Sequence, residues 1–167
     1  MSNIEEKYQQ TLDYLYSFVD YSLTRQLRYS PEKFNLERMV KLMQLMDDPH
    51  LKYPVVHIAG TKGKGSTAAM VASILRKAGY RTGFYTSPHL QDFTERIQVD
   101  GAPISREQLV EKVDQIRPLL AQVPEITTFE ITTAIAFKDF YDKNVDVAVI
   151  EVGLGGRLDA TNVVDPL

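Results

Sequence analysis

The chain has 167 residues, of which 44% are hydrophobic and 25% are charged, as is typical of a globular domain. The net charge of −3 gives no reason to expect nucleic acid as a partner, and the absence of cysteine excludes disulfides, thiolate catalysis and zinc–thiolate sites. No apolar run approaches the roughly 20 residues that span a bilayer, and the amino terminus lacks the pattern of a secretory signal. We therefore expect a soluble, cytoplasmic protein with no membrane partner.

The first part of the chain predicts two amphipathic helices. Apolar residues recur at helical spacing from Ile4 onward and predict a first helix that ends near Tyr21. The polar and aromatic segment 24–35 is predicted to be a loop. A second helix is predicted over residues 36–46, where Asp-Asp-Pro at 47–49 ends it, and its methionines are interpreted as core packing.

Residues 55–67 carry the most informative local pattern. A β-branched run is followed by three glycines around Lys64 and then by an Ala-rich helical pattern that Gly79 closes. Glycines let backbone amides approach phosphate oxygens, a lysine supplies a mobile cation, and a helix start adds its positive dipole end. This glycine loop, residues 60–66, predicts the binding of a nucleoside triphosphate.

The glycine loop departs from the common phosphate-binding pattern GxxxxGK[ST]. Ile58 stands where the first glycine of that pattern would be, and Gly65 follows Lys64, so that the hydroxyl comes one position later at Ser66. A glycine-rich turn that merely connects a strand to a helix is therefore the alternative interpretation.

The rest of the chain alternates strands and helices. The predicted elements are a strand over 81–86, a hairpin over 95–104 around Asp100-Gly101, a helix from the Ser105/Gln108 capping box to about Ala121, a helix over 129–141 and an apolar strand over 147–150. This order predicts an α/β fold with an open, mostly parallel sheet. Three parallel strands are few for such a sheet, and the loop-like segment 153–167 stops where another strand would begin, so we expect a piece of a larger protein.

Two side chains are candidate metal ligands. Glu151 follows the apolar strand at its carboxyl end, the edge at which open α/β sheets bind ligands, and Ser87 ends the preceding strand at the same edge. A carboxylate and a hydroxyl are hard oxygen ligands suited to Mg²⁺. The alternatives are a capping or turn acid at Glu151 and a turn residue beside Pro88 at Ser87.

The histidines and Arg96 give weaker signals. His57 is expected to be a hydrogen-bonded structural imidazole within its strand, and His50 is expected to be solvent-exposed. His89 follows Ser-Pro and is placed near the site. Arg96 either forms a salt bridge in the hairpin or contacts an anion, and the sequence does not decide between them.

Four motifs occur in an order and spacing that resemble one known family. They are residues 57–66 (HIAGTKGKGS), residues 85–90 (YTSPHL) with 94–97 (TERI), residues 128–130 (TFE) and residues 151–162 (EVGLGGRLDATN). The chain resembles the ATP-binding domain of the folylpolyglutamate synthase/dihydrofolate synthase family, in the Mur ligase superfamily. The resemblance covers roughly residues 30 to 167.

The resemblance implies an ATP- and Mg²⁺-dependent ligase. Such enzymes phosphorylate a carboxylate of a pteroate or folate, and the amine of L-glutamate then attacks the acyl phosphate to form an amide. The implied phosphate cradle comprises Gly60, Thr61, Lys62, Gly63, Lys64, Gly65 and Ser66, with Lys64 on the transferred phosphate. Ser87 and Glu151 are the implied Mg²⁺ ligands, and Lys64 and Glu151 the implied catalytic residues. The implied lining of the pocket for folate or dihydropteroate is Phe34, Asn35, Leu36, Thr127, Thr128, Phe129, Glu130, Leu158, Asp159 and Ala160.

Two departures from the family pattern affect what we expect of Lys62 and of the activity of this chain. The family has asparagine where this chain has Lys62, and family members are more than twice as long, with a further metal-binding histidine, a carbamylated lysine and a carboxyl-terminal domain that binds glutamate. We therefore expect residues 1–167 to form the amino-terminal part of a truncated ATP-binding domain that cannot ligate by itself and binds nucleotide weakly.

Two other functions remain open at this stage. A peptidoglycan-type amino-acid ligase of the same superfamily would share the glycine loop, although the Thr-Ser-Pro-His and Leu-Asp-Ala-Thr-Asn motifs argue against it. A non-catalytic nucleotide-binding module is the alternative from a different class.

Overall fold

The structure is a computed structural model that describes residues 3–19 and 35–167. Its helices are α1 (Asn3–Tyr16), α2 (Glu37–Leu45), α3 (Lys64–Lys77), α4 (Arg106–Leu120) and α5 (Thr128–Asp142). Its strands are β1 (Val55–Ile58), β2 (Thr82–Tyr85), β3 (Ile97–Val99), β4 (Ala102–Pro103) and β5 (Val147–Glu151). Within the described residues, no helix is long and apolar enough to cross a membrane.

The five strands form one open sheet in the order β1-β5-β2-β3-β4, which confirms the α/β class. β1, β5 and β2 run parallel, whereas β3 and β4 are antiparallel additions, so the sheet is mixed. The reversal occurs at Asp100 and Gly101, whose φ angles of 55° and 79° suit the predicted two-residue hairpin turn. The hairpin begins only at Ile97, because Asp92 and Glu95 form a capping box that makes residues 93–96 a short 3₁₀ helix.

The strand β5 lies at the centre of the fold. All five of its residues are buried, as the prediction of an apolar strand covered on both faces requires. On one side, Ala148 and Ile150 join the large core formed with α1, α2, α4 and α5. On the other side, Val149 packs with Ala68 and Ala72 of α3 in a smaller cluster. Because β1, β5 and β2 are parallel, their carboxyl ends lie at one edge of the sheet, where α3 begins.

Local sequence signals set most helix boundaries. Ser105 and Gln108 form the predicted capping box of α4, and the methionines of α2 are core residues as predicted. The first helix ends at Tyr16 rather than near Tyr21, because the backbone at Val19 leaves the helix and its carbonyl accepts a hydrogen bond from the Thr128 amide. The predicted loop over 24–35 lies outside the described residues except for its last position.

Asp92 connects three elements of the large core. Its carboxylate accepts hydrogen bonds from the Tyr8 hydroxyl at 2.7 Å, from the amide and hydroxyl of Thr94, and from Arg106. Burial by itself raises the pKa of Asp92, but these hydrogen bonds outweigh it and lower the pKa below the ordinary value of 3.8. The ionised carboxylate therefore fastens α1 and α4 to the segment that follows β2.

The segment after β5 is folded back on the sheet. Ala160–Val163 forms a 3₁₀ helix within the predicted loop-like region. Pro166 makes a parallel bridge with Val55, and the Leu167 amide donates to the Val55 carbonyl at 2.9 Å. The backbone at 166–167 thus runs beside β1, at the position where the sequence predicted the start of a strand.

Candidate functional site

The glycine loop connects the end of β1 to the first turn of α3. Gly63 is the residue before α3 and has a φ of 75°, in the left-handed region that favours glycine. Gly63 has no side chain to cap this end of the helix, and among the described residues no side chain accepts a hydrogen bond from the amides of residues 64–66. These features make the start of α3 suited to bind an anion.

The two lysines of the glycine loop differ in their surroundings. Lys64 is half-buried, and its Cγ lies 3.7 Å from the position that a Cβ on Gly60 would take, whereas Lys62 is exposed. Within residues 3–19 and 35–167, neither ammonium group forms an ion pair. The side chain of Lys64 is therefore more restricted by its surroundings than the exposed side chain of Lys62.

Glu151 is the carboxylate nearest to this helix start. It is 5% exposed, and its Oε2 accepts hydrogen bonds from the Thr86 hydroxyl at 2.5 Å and from the Ser87 amide at 3.1 Å. A Cβ on Gly65 would lie 3.2 Å from Glu151 Oε1. The structure thus brings together Gly65 of the glycine loop, Ser87 after β2 and Glu151 at the end of β5.

Glu151 has no counter-charge in the described part of the chain. No Lys, Arg or His forms an ion pair with it there, and no hydrogen bond reaches its Oε1. It accepts from the neighbouring strand rather than from the residues that follow it, so it does not cap the next element. A buried carboxylate with a free oxygen is a fitting ligand for a divalent cation.

Among the described residues, no three His, Cys, Asp or Glu side chains cluster as a ready-made metal site. A cation at Glu151 would therefore take its remaining ligands from the hydroxyl at Ser87, from water and from a bound anion. Mg²⁺ fits such a donor set, because it keeps several waters and binds through one or two protein oxygens together with phosphates.

The predicted pocket residues on α5 are partly committed to holding the fold together. Thr127 and Glu130 form the capping box of α5, and the Glu130 carboxylate also accepts from Arg38 Nε at 3.1 Å. The Thr128 hydroxyl donates to the Leu15 carbonyl. Phe129 is half-buried and is the residue of this group with a side chain still partly accessible.

The loop 153–163 is organised by Asp159. Its carboxylate, 5% exposed, accepts hydrogen bonds from the Leu154 amide at 2.7 Å and from the amide and hydroxyl of Thr161. A Cβ on Gly153 would lie 2.5 Å from Phe129 Cζ and 3.1 Å from Asp159 Oδ2. The predicted pocket residues Phe129 and Asp159 therefore meet over Gly153, while Leu158 is half-buried and Ala160 buried beside them.

The other predicted pocket residues lie before α2. Asn35 and Leu36 are half-buried, and Asn35 Oδ1 is a buried oxygen without a hydrogen-bond partner in the described structure. Phe34 lies outside the described residues.

The three histidines occupy different environments. His89 Nδ1 accepts a hydrogen bond from Arg96 Nε at 2.9 Å. His57 Nε2 lies 2.8 Å from the Thr161 hydroxyl, and because this hydroxyl donates to Asp159, the imidazole is the donor. This contact confirms the predicted structural imidazole, and burial lowers the pKa of His57. The expectation that His50 is exposed is wrong: it is 5% exposed, stacked against Phe137 with ring centroids 5.6 Å apart, because the 3₁₀ helix Pro49–Leu51 packs on α5. Burial also lowers the pKa of His50.

Two residues near the site were not singled out from the sequence. Thr86, which supplies the shortest hydrogen bond to Glu151, could have been found as the hydroxyl residue directly before Ser87 at the end of β2. Thr161, which receives the His57 hydrogen bond and donates to Asp159, stands in the motif 151–162 but carries no signal of its own.

Comparison with known proteins identifies relatives of one kind. No protein-family model matches the chain. It is 47% identical over 143 residues to the dihydrofolate synthase/folylpolyglutamate synthase of Mycobacterium tuberculosis, an alignment that covers 78% of this chain and 29% of the relative. It is 45% identical over 141 residues to the protein of the same name from Bacillus subtilis, covering 81% and 33%.

The solved structures that match this chain are also folylpolyglutamate synthases. The structure of Mycobacterium tuberculosis folylpolyglutamate synthase complexed with ADP matches with a TM-score of 0.86 at 42% identity, over 98% of this chain and 36% of that one. A complex of folylpolyglutamate synthase with AMPPCP and folate matches with a TM-score of 0.83 at 36% identity, over 95% and 38%. The chain thus spans about a third of the length of its relatives. Over that span, it is a homologue of the folylpolyglutamate synthase/dihydrofolate synthase family of ligases.

Proposed function

We propose that this chain supplies the nucleotide-binding part of an ATP-dependent ligase that joins a folate or dihydropteroate carboxylate to L-glutamate. The observation that carries the proposal is the convergence of Gly65, Ser87 and Glu151 at one edge of the sheet. A phosphate cradle and a buried, uncompensated carboxylate are the two parts that a Mg²⁺-nucleotide site requires. The homologues solved with ADP and with AMPPCP support a nucleotide as the ligand.

The roles at the nucleotide follow from the chemistry of each group. The amides of the glycine loop would bind the phosphate oxygens, and Lys64, whose stem packs over Gly60, would contact the transferred phosphoryl group. Ser87 and Glu151 would hold Mg²⁺, which when bound supplies positive charge that neutralises the phosphates. In this assignment, Thr86 is the residue that orients Glu151.

The proposed reaction has two steps. A carboxylate oxygen of the acid substrate attacks the γ-phosphorus of ATP, the bond to the β,γ-bridging oxygen breaks, and ADP leaves. The glutamate amine then attacks the acyl carbon, loses a proton, and inorganic phosphate leaves as the amide forms. The residues of this chain would contribute to the first step by positioning the phosphates and offsetting their charge, which is how phosphoryl transfer is mainly catalysed.

The pterin-bearing part of the substrate would lie between the start of α5 and the loop 153–163. Phe129 offers an aromatic face there and Leu158 an apolar side chain. Asn35, before α2, carries a buried oxygen that has no partner among the described residues. Thr127, Thr128, Glu130 and Asp159 would mainly hold the walls of the pocket, since their polar atoms bond within the protein. The homologue solved with folate supports this class of substrate.

Because the chain spans about a third of its relatives, the complete ligase reaction is proposed for a longer protein of which this would be the amino-terminal part of the ATP-binding domain. The chain itself is expected to bind nucleotide without completing ligation.

Calorimetry of this chain with MgAMPPCP tests the nucleotide site. We expect binding that requires Mg²⁺, is lost on Lys64→Ala and is weakened about 10- to 100-fold on Glu151→Gln, which removes one charged ligand. Lys77→Ala, at the far end of α3, is the matched control and should bind like the wild type. Binding that is independent of Mg²⁺ and equal in Glu151→Gln would refute the assignment. Turnover of a nucleotide-linked muropeptide by a longer protein that contains this chain would instead favour a peptidoglycan-type ligase.

A further inference from the structure

Arg96 is a buried arginine that no carboxylate of the described residues neutralises. It is 8% exposed, and within the described residues it forms no ion pair. Its Nε donates to His89 Nδ1 at 2.9 Å, and its guanidinium carbon lies 4.9 Å from the centre of the Phe93 ring. These two contacts fix the plane of the guanidinium group. The alternative of a salt bridge within the hairpin is not observed in this part of the chain.

The two terminal nitrogens of Arg96 remain available. Neither makes a hydrogen bond to a described residue, and neither is among the buried polar atoms that lack a partner. Both therefore keep contact with solvent while the rest of the side chain is enclosed. A guanidinium group held in this way presents a planar pair of donors, the geometry that matches a carboxylate.

The carboxylates around Arg96 are engaged elsewhere. Glu95 accepts hydrogen bonds from the amides of Leu90, Gln91 and Asp92. Asp92 is bound by Tyr8, Thr94 and Arg106. Glu151 is held by Thr86 and Ser87, and Asp159 by Leu154 and Thr161. The positive charge of Arg96 is thus left for a group that the described residues do not supply.

Arg96 lies at the same edge of the sheet as Glu151. Its carbonyl accepts a hydrogen bond from the amide of Thr86, the residue whose side chain binds Glu151. Burial raises the pKa of the Tyr85 hydroxyl, while Arg96 lowers it and Asp159 and Glu151 raise it, so all three charges act on the same buried group. Arg96 therefore lies beside the residues that hold Glu151, at the same edge of the sheet.

The strand order separates Arg96 from the glycine loop. Along the edge, the glycine loop follows β1, Glu151 ends β5, Ser87 follows β2 and Arg96 precedes β3. At about 4.8 Å per strand, β1 and β3 are roughly 14 Å apart. Phosphates bound at the glycine loop with a cation at Glu151 and Ser87 would have Arg96 on their far side, where the acid substrate must approach.

We propose that Arg96 recognises a carboxylate of the acid substrate, with His89 and Phe93 as the residues that position its guanidinium group. The identity of the substrate rests on the proposed function, whereas the existence of an anion site at Arg96 does not depend on it. Arg96 is then a specificity-determining residue for an acid substrate that carries a negative charge.

The first test compares charged and uncharged ligands. Calorimetry of this chain with folate, in the presence of MgAMPPCP, should show a Kd about 10- to 100-fold weaker for Arg96→Gln than for the wild type. The dimethyl ester of folate, which lacks the charges, should bind both proteins within twofold of each other, as should MgAMPPCP alone. Arg81→Gln, an exposed arginine before β2, is the matched control and should behave as the wild type.

The second test does not depend on folate or nucleotide binding. In protein labelled with ¹⁵N-arginine, glutarate at neutral pH should shift the Arg96 Nε resonance saturably, the resonance being assigned by its loss in Arg96→Lys. A shift with glutarate but no MgAMPPCP binding would support the carboxylate site while the proposed nucleotide function failed.

Three results would overturn the inference. The first is no shift with glutarate together with equal folate binding by Arg96→Gln and wild type. The second is a response to phosphate or MgAMPPCP but not to glutarate, which would make Arg96 a nucleotide contact. The third is an equal loss of folate and ester binding in Arg96→Gln, with a lower Tm, which would make it a structural residue.

Discussion

The close approach of Gly65 to Glu151 makes Gly65→Ala an informative perturbation. The new Cβ would lie 3.2 Å from Glu151 Oε1 and 3.4 Å from Oε2, so the carboxylate would have to move by a few tenths of an ångström. It cannot do so freely, since Glu151 is 5% exposed and its Oε2 is held by Thr86 at 2.5 Å and by Ser87 at 3.1 Å.

Gly65→Ala is expected to have a small effect on stability and a large effect on binding. Alanine within a helix is favoured over glycine by up to about 1 kcal/mol, which offsets the strain at Glu151, so the Tm should change by no more than about 4 °C. The methyl group would however displace the proposed cation ligand and occupy space beside its free oxygen. Loss of one charged contact corresponds to about 1.5–3 kcal/mol, or a roughly 10- to 100-fold weaker affinity for MgAMPPCP.

The assay is calorimetry with MgAMPPCP alongside thermal unfolding of the same samples. Ser73→Ala, on the exposed side of the same helix, is the control and should change neither quantity. In a Glu151→Gln background, Gly65→Ala should weaken binding by less than twofold, because both changes act on one contact. Affinity within twofold of the wild type for Gly65→Ala alone would refute the reasoning, and so would a loss of equal size in both backgrounds.

Two further predictions concern the stability of the fold. Gly83→Ala would place a Cβ 2.9 Å from Cγ and Cδ1 of the fully buried Phe140. This overpacking should cost about 1–3 kcal/mol and lower the Tm by about 2–12 °C, and an unchanged Tm would contradict the prediction. Phe140→Leu in the same chain should remove part of the stability loss that Gly83→Ala causes. For Asp92, burial raises the pKa but hydrogen bonds lower it below 3.8 overall, so its stabilising contribution is present above that value and is lost as the pH falls below it. The Tm of the wild type should therefore fall more steeply than that of Asp92→Asn between about pH 5 and pH 2, and parallel curves would show that Asp92 contributes no such dependence.

Short-range signals predicted most secondary structure. The Ser105/Gln108 capping box and the Asp100-Gly101 turn depend on neighbours a few residues away, and both occur as expected. The predicted end of the first helix was wrong, because the backbone of Val19 pairs with the backbone near Thr128 instead of continuing the helix. That partner lies more than a hundred residues further along the chain. Periodicity carries no information about such a partner.

The convergence of the candidate residues could be predicted because strand ends at one edge of a parallel sheet must meet. Glu151 and Ser87 are adjacent for this reason, and Gly65 joins them because α3 starts at the same edge. The exposure expected for His50 was wrong because burial there depends on the packing of a 3₁₀ helix against α5. Contacts between distant elements decide such cases.

The sequence by itself determined the alternation of strands and helices, the glycine loop and the acid at the end of the apolar strand, since these follow from local geometry and from the order of residues. Only the tertiary structure decided that the Thr86 hydroxyl holds Glu151 and that the carboxylate of Asp159 is hydrogen-bonded within its own loop. It also decided that Arg96 is enclosed with no carboxylate partner among the described residues. The physical reason is that charge compensation depends on which side chains meet in space, and residues far apart in the chain supply those partners.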